Sequence, residues 1–208
     1  MKDCGVYLLY DVRQGSSDWL HMRKGRITMS NLGKIVGHAP YCKNSREELA
    51  DIIKGKKKET FSIEAKVRMQ KGNDYEPLVR DFLSKKINKP IYETGFAVWK
   101  ADTRFGASLD GVVDDDTGIE IKCPAKMYYP IKNYMQNPNS NPKDIKHIWP
   151  SQYDQVIGNG VITGRKKMIF CVYAIEEKEM FCQTIDVDYQ YWFDFLYPTA
   201  CDFYDKYM

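Results

Sequence analysis

An α+β fold, a sandwich with a mixed central β-sheet flanked by helices, is what this sequence predicts, and two observations carry it. Up to about residue 87, helix caps alternate with apolar residues at helical spacing; after Asn88-Lys-Pro90 the apolar period shortens to that of strands. Helical patterning then returns before the fourth strand and in the aromatic tail.

The elements follow in order. Ser16 to Lys24 reads as a short capped helix with Trp19, Leu20 and Met22 on its apolar side. Ile27-Thr-Met-Ser30 leads into a second helix with Ser30 as N-cap, ended by Gly37 and Pro40. Ser45 to Lys54 is a third, and Ser45 with Glu48 forms a capping box. Ile63 to Ile87 is helical through Val67, Leu78, Val79, Phe82 and Leu83, while Gly72 and Pro77 predict a kink or a split. Strands are predicted at Ile91 to Trp99, Phe105 to Val113, Ile119 to Cys123, Lys167 to Ile175 and Met180 to Val187. Asn137-Pro-Asn-Ser-Asn-Pro142 reads as loop, Ser151 to Gly160 as helix, and the last twenty residues as a helix packed on the sheet.

Residues 1–208 suffice for one domain with a sizeable core, and no repeat or linker divides them. Hydrophobic residues make up 43% and charged residues 28%, the balance of a globular protein, and no apolar run is long enough to span a membrane. The opening Met1-Lys-Asp-Cys-Gly lacks the apolar core of a signal peptide, so a cytoplasmic or nuclear location is expected. The six cysteines form no C-x-x-C pair, and most read as buried thiols. Net charge is only +3, so global charge does not demand a nucleic-acid partner. Lys54-Gly-Lys-Lys-Lys58 and the cluster of Arg23, Lys24 and Arg26 could neutralise phosphates, although a lysine run is more often a solvated loop.

The most informative stretch is Ala107-Ser-Leu-Asp-Gly-Val-Val-Asp-Asp-Asp-Thr-Gly-Ile-Glu-Ile-Lys-Cys-Pro124. It reads as two apolar strands around an acidic turn at Asp114 to Gly118. Glu120 and Lys122, two apart on a strand, share a face, and Asp110 falls roughly opposite them. Two acids and a lysine on an apolar hairpin are costly unless they bind metal or do chemistry. Glu-x-Lys alone is a weak signal, since Glu64-Lys66 and Glu176-Lys178 repeat it in a helix and a turn. Only the middle copy has an Asp-bearing strand before it; the competing reading is a surface salt bridge on an edge hairpin. The residue types suit phosphodiester hydrolysis: Asp and Glu are hard ligands for Mg²⁺ or Mn²⁺, and a lysine can orient water or offset phosphate charge.

This hairpin resembles that of the PD-(D/E)xK nuclease superfamily, with its restriction-endonuclease-like core. Trp19-Leu-His-Met-Arg-Lys-Gly-Arg-Ile-Thr-Met-Ser30, Gly72-Asn-Asp-Tyr-Glu76, Gly118-Ile-Glu-Ile-Lys-Cys-Pro124 and Pro150-Ser-Gln-Tyr-Asp-Gln-Val156, followed by Val161-Ile-Thr-Gly164, are similar to four blocks of lambda-type exonucleases, the YqaJ viral recombinase family, in family order. The resemblance implies metal ligation by Asp110, Glu120, the carbonyl of Ile121 and Glu76. It implies that Lys122 acts on the nucleophilic water and that Gln155 positions water or phosphate. Arg23, Ser30 and Ser108 match positions that hold a 5′-terminal phosphate; the bland alternatives are a surface salt bridge for Arg23 and a helix cap for Ser30. Trp19 and Trp149 read as core rather than as base-stacking platforms. Two departures stand out: His38 to Asn44 lacks the basic and apolar pair that grips duplex ends in the best-known member, which leaves the strand-separating residues unassigned, and Ser108-Leu-Asp110 replaces Ser-Pro-Asp.

The resemblance thus implies a Mg²⁺- or Mn²⁺-dependent 5′→3′ exonuclease on double-stranded DNA ends, leaving 3′ overhangs for recombination or repair. It also implies a viral or phage setting inside a host cell, a ring-shaped trimer and a single-strand annealing protein as partner. The alternatives are a structure-dependent endonuclease of the superfamily, or a non-catalytic DNA-binding module. A CRISPR-adaptation-type nuclease, another form of the endonuclease alternative, is disfavoured by the scattered cysteines, which suggest no four-cysteine iron-sulfur site.

Overall fold

The computed structural model describes residues 1–137 and 149–208. The α+β class is as expected, but the strands divide between two mixed sheets. Strands β1 (Lys2–Asp3), β2 (Tyr7–Tyr10), β3 (Ile27–Thr28), β4 (Phe96–Trp99) and β5 (Phe105–Ala107) form one, in the order β1-β2-β4-β5-β3. Strands β6 (Gly111–Val112), β7 (Thr117–Lys122), β8 (Lys167–Ala174) and β9 (Glu179–Asp186) form the other, in sequence order. The first two strands carried no signal in the sequence reading.

Two stretches predicted as single strands cross between the sheets. In Ile91 to Trp99, Tyr92 bridges to Val112 beside the second sheet, whereas Phe96–Trp99 joins the first. The crossing passes Gly95, where a Cβ would lie 1.9 Å from the carbonyl oxygen of Tyr10, so only glycine fits. Phe105 to Val113 likewise breaks at Ser108-Leu-Asp110 into β5 and β6. The catalytic Asp candidate therefore sits at the seam of the two sheets.

The helices are α1 (Ser17–Arg23), α2 (Met29–Ile35), α3 (Arg46–Ile53), α4 (Ile63–Ile87), α5 (Tyr129–Gln136) and α6 (Pro150–Ile162). Ser16 caps α1 by accepting the Trp19 N–H, and the capping box of Ser45 and Glu48 opens α3 as its sequence requires. Pro77 neither splits nor ends α4, which runs unbroken over 25 residues. A capping serine, Ser62, and apolar packing of Val79 and Leu83 on β7 hold it helical despite the lost N–H. The α5 helix was not foreseen; the loop expected from Asn137 to Pro142 lies, apart from Asn137, outside the described residues. The aromatic tail is helical as expected: a short turn α7 (Tyr189–Tyr191), a π-helical segment Trp192–Leu196, and α8 (Tyr197–Tyr207).

Two apolar layers hold these elements. The smaller joins Val79 and Leu83 of α4 to Ile119, Ile121 and Cys171. The larger joins the first sheet, α2, α3, α6 and the tail, where fully buried Trp192 meets Trp99 and Phe105 edge-on. Helices α2 and α6 touch through small residues: a Cβ on Gly33 would lie 2.7 Å from Ser151 Cβ. The expectation that most cysteines are buried is corrected. All six are free thiols and only Cys171 is buried; Cys4, Cys42 and Cys123 lie in connecting segments, and Cys182 and Cys201 on partly covered strand and helix faces.

Candidate active site

The residues predicted from the sequence meet in one cleft of about 410 Å³. Its lining includes Arg23, Ser30, Glu76, Ser108, Asp110, Glu120, Ile121, Lys122 and Gln155. Backbone pairing explains the convergence. Strand β6 runs antiparallel to β7 with Gly111 opposite Ile119, which sets Asp110 opposite Glu120. The turn is tighter than expected: Val113 N–H bonds to Thr117 O, so Thr117 and Gly118 belong to β7. Strand β3 lies parallel to β5, with Thr28 opposite Gly106, so the chain leaving both strands delivers Ser30 and Ser108 to the same mouth.

The Glu120-Lys122 pair is no surface bridge on an edge. Strand β7 lies between β6 and β8, and Glu120 is only 1% exposed. Its Oε1 accepts from Lys122 Nζ at 2.5 Å and from Gln155 Nε2 at 2.6 Å, while Oε2 accepts from Asn159 Nδ2 at 2.8 Å. Asp110 Oδ2 accepts the Ile121 N–H at 2.7 Å. Glu76 reaches the cleft from α4, which approaches closely because Gly72 has no side chain: a Cβ there would lie 3.3 Å from the Cys123 carbonyl oxygen.

Electrostatics single out this cluster. Burial, reinforced by Asp110, pushes Glu120 up to about 8. Burial and Asp110 push Glu76 up to about 7, against the pull of Arg80 and Lys122. Asp110 is raised, again mainly by burial. Burial alone would lower Lys122, but Glu120 and Asp110 outweigh it and hold the amine protonated. Three carboxylates thus crowd a cleft with too little positive charge, a donor set of hard oxygens that fits a divalent cation. Among the described residues no three acidic, His or Cys side chains are already gathered closely enough to hold a metal ion, and Glu120 and Asp110 accept from the protein's own donors.

Arg23 ends α1. Its guanidinium lies 4.1 Å from the Trp19 ring centroid and donates to Ser30 Oγ at 2.8 Å and Thr28 Oγ1 at 3.2 Å. Burial lowers it to about 10, and no carboxylate among the described residues pairs with it, which replaces the salt-bridge reading. Ser30 is corrected as a cap: Thr28 holds the N-cap position, without a side-chain bond, and Ser30 lies within the first turn of α2 with its hydroxyl turned to Arg23. Trp19 is corrected as core. It lines the cleft half-buried, and its Nε1 donates to Ser108 Oγ at 2.8 Å. Trp149 is half-buried too, but packs at the edge of the larger core, against Tyr128 and Phe170.

The sequence reading missed Asn159, Arg80, Gln14 and Asn73. Asn159 follows Gln155 by four residues and Arg80 follows Glu76 by four, so helical spacing would have found both. Gln14, whose Nε2 donates to the Leu109 carbonyl, had no sequence signal. No residue of the run Lys54 to Lys58 lines the cleft; Lys57 pairs with Glu48 and Lys54 donates to the Tyr207 carbonyl.

Among solved structures, an alkaline exonuclease from Laribacter hongkongensis superimposes with TM-score 0.71 at 23% identity, over 92% of each chain. The same enzyme in complex with dAMP gives 0.64 at 23% identity, over 90% of this chain and 94% of that one. A phage-related exonuclease from Haemophilus somnus 129PT gives 0.61 at 12% identity, over 90% and 96%. No curated protein sequence matches. Among the described residues no helix is long and apolar enough to cross a membrane. The model of the YqaJ-like viral recombinase domain matches residues 18–166, and the protein belongs to that family.

Proposed function

We propose that this chain is a Mg²⁺- or Mn²⁺-dependent 5′→3′ exonuclease acting on double-stranded DNA ends and leaving 3′ overhangs for recombination or repair. The family and the exonuclease fold support a DNA nuclease. The observation that carries the finer reading is that the acidic cluster and the Arg23-Ser30-Ser108 group line a single cleft. A half-buried cation without a carboxylate, flanked by hydroxyls, suits a terminal phosphate. A scissile bond one nucleotide inward would then face the carboxylates.

Asp110, Glu120, Glu76 and the Ile121 carbonyl would hold the metal. When bound, the metal would lower the pKa of water and offset charge on the phosphoryl oxygens. Lys122, a cation beside Glu120, orients the attacking water and screens the phosphate; it can accept a proton only once its acidic neighbours are neutralised. Gln155 and Asn159 fix the rotamer of Glu120. Gln155 also stands where it can orient water.

A blunt duplex labelled at either end, with and without 5′ phosphate, tests this. Progressive loss from the 5′ end, faster with phosphate and dependent on Mg²⁺ or Mn²⁺, is expected. Internal cuts would favour the structure-dependent endonuclease, and no cleavage the non-catalytic module. The single-domain reading of residues 1–208, the trimer, the annealing partner and the location inside a host cell remain parts of the same proposal that rest on the sequence and its resemblance.

A further inference from the structure

Among the buried charged groups that the proposed mechanism does not use, Arg80 stands beside the carboxylates. Arg80 lies on α4 one turn beyond Glu76 and is only 7% exposed. Its guanidinium donates to Glu76 Oε1 at 3.0 Å through one terminal nitrogen, and the other pairs with Glu93, which is largely exposed. Its Nε is buried and meets no acceptor. A buried guanidinium with an orphaned donor is poorly arranged for stability alone, which asks for another reason for its presence.

The surroundings supply one. Arg80, Glu76, Glu93 and Asp110 line a polar cavity of about 330 Å³ at the seam of the two sheets, which shares Glu76, Asp110 and Gln14 with the main cleft. The cleft carries three carboxylates, from Glu76, Asp110 and Glu120, and two cations, Arg23 and Lys122; Arg80 adds a third from the neighbouring cavity. Lys122 is bonded to Glu120. Among the described residues Arg80 is the cation bonded to Glu76, and its charge also acts on Asp110. Glu93 competes from outside for the same guanidinium.

We infer that Arg80 is a built-in counter-ion that a divalent cation must displace from Glu76, so that Arg80, moderated by Glu93, sets the metal affinity of the cleft. Arg80 does not line the main cleft and acts through Glu76, as a positioning residue. The inference rests on the metal-binding reading above. The opposite role is also physically definite: a partner that merely orients a ligand carboxylate strengthens metal binding, and losing it weakens affinity, commonly 10–100-fold. The two roles predict opposite signs.

The test is Mn²⁺ titration calorimetry of the DNA-free protein in alkaline buffer, with metal-induced melting shifts as a second readout. Arg80→Gln removes a unit charge close to the metal. Repulsion between a single and a double charge about 6 Å apart amounts to roughly tenfold in affinity even at the dielectric of water. Arg80→Gln should therefore bind Mn²⁺ roughly tenfold more tightly and gain more melting temperature on adding metal. Arg80→Lys, which keeps the charge, should stay near wild type. Glu93→Gln, a surface change that does not threaten folding, frees Arg80 for Glu76 and should weaken Mn²⁺ binding severalfold. Weaker or unchanged binding in Arg80→Gln, or, should that variant not fold, unchanged or tighter binding in Glu93→Gln, overturns the inference. A wild-type protein that binds no Mn²⁺ overturns the metal reading itself and the inference with it.

Discussion

Replacing Glu120 with glutamine should stabilise the metal-free protein at alkaline pH while abolishing its proposed activity. The Glu120 carboxyl is raised from 4.5 to about 8, chiefly by burial and then by Asp110. Its folded pKa lies above its unfolded value, so the folded state binds more protons between those limits. Stability therefore falls as pH rises through that window, and the full contribution is present only below about 4.5. At pH 7 the penalty is about 3 kcal/mol, from ~1.4 kcal/mol per pH unit across roughly 2.5 units. Glutamine carries no such penalty. It can still accept from Lys122 and Gln155, and its amide can donate to Asn159 Oδ1, which has no partner, once the Asn159 amide turns over. Because Glu76 and Asp110 share the repulsion and Lys122 loses one of its counter-ions, the expected gain is about 1 kcal/mol, or roughly 2–4 °C in melting temperature for a chain of this size. Thermal unfolding followed by circular dichroism in EDTA, at pH 8 and near pH 5, measures it. A variant that melts below wild type at pH 8, or that gains equally at both pH values, would refute the reasoning.

Three further outcomes are expected. Lys122→Ala should lose at least about 100-fold in cleavage rate with an unchanged circular dichroism spectrum; full activity would sink the proposed chemistry. Arg23→Lys keeps the charge but loses the fork that reaches Thr28 and Ser30, so cleavage of 5′-phosphorylated ends should fall roughly tenfold while 5′-hydroxyl ends change little. Gly33→Ala would bring a Cβ within 2.9 Å of Ser151 Cα, where backbone must yield. After about 1 kcal/mol returned by helix propensity, a net loss of about 1–2 kcal/mol in urea unfolding is expected.

By itself the sequence determined the α+β class, most helix boundaries and the family resemblance. Those features are local: a capping box needs four residues, and a hairpin that puts Asp110 opposite Glu120 needs about twenty. Only the tertiary structure decided which charges meet. Residues as far apart as Arg23 and Ser108, or Glu120 and Gln155, share the cleft because β3 lies beside β5 and α6 covers β7. The break of two predicted strands at Gly95 and at Ser108-Leu-Asp110 was also illegible, since an apolar run reads alike whether it stays in one sheet or crosses to another. The same holds for Pro77, whose local tendency to interrupt a helix is overridden by packing of α4 on β7. Burial decided the rest: only in the folded interior does desolvation raise Glu76 and Glu120 and make Arg80 a counter-ion rather than a surface charge.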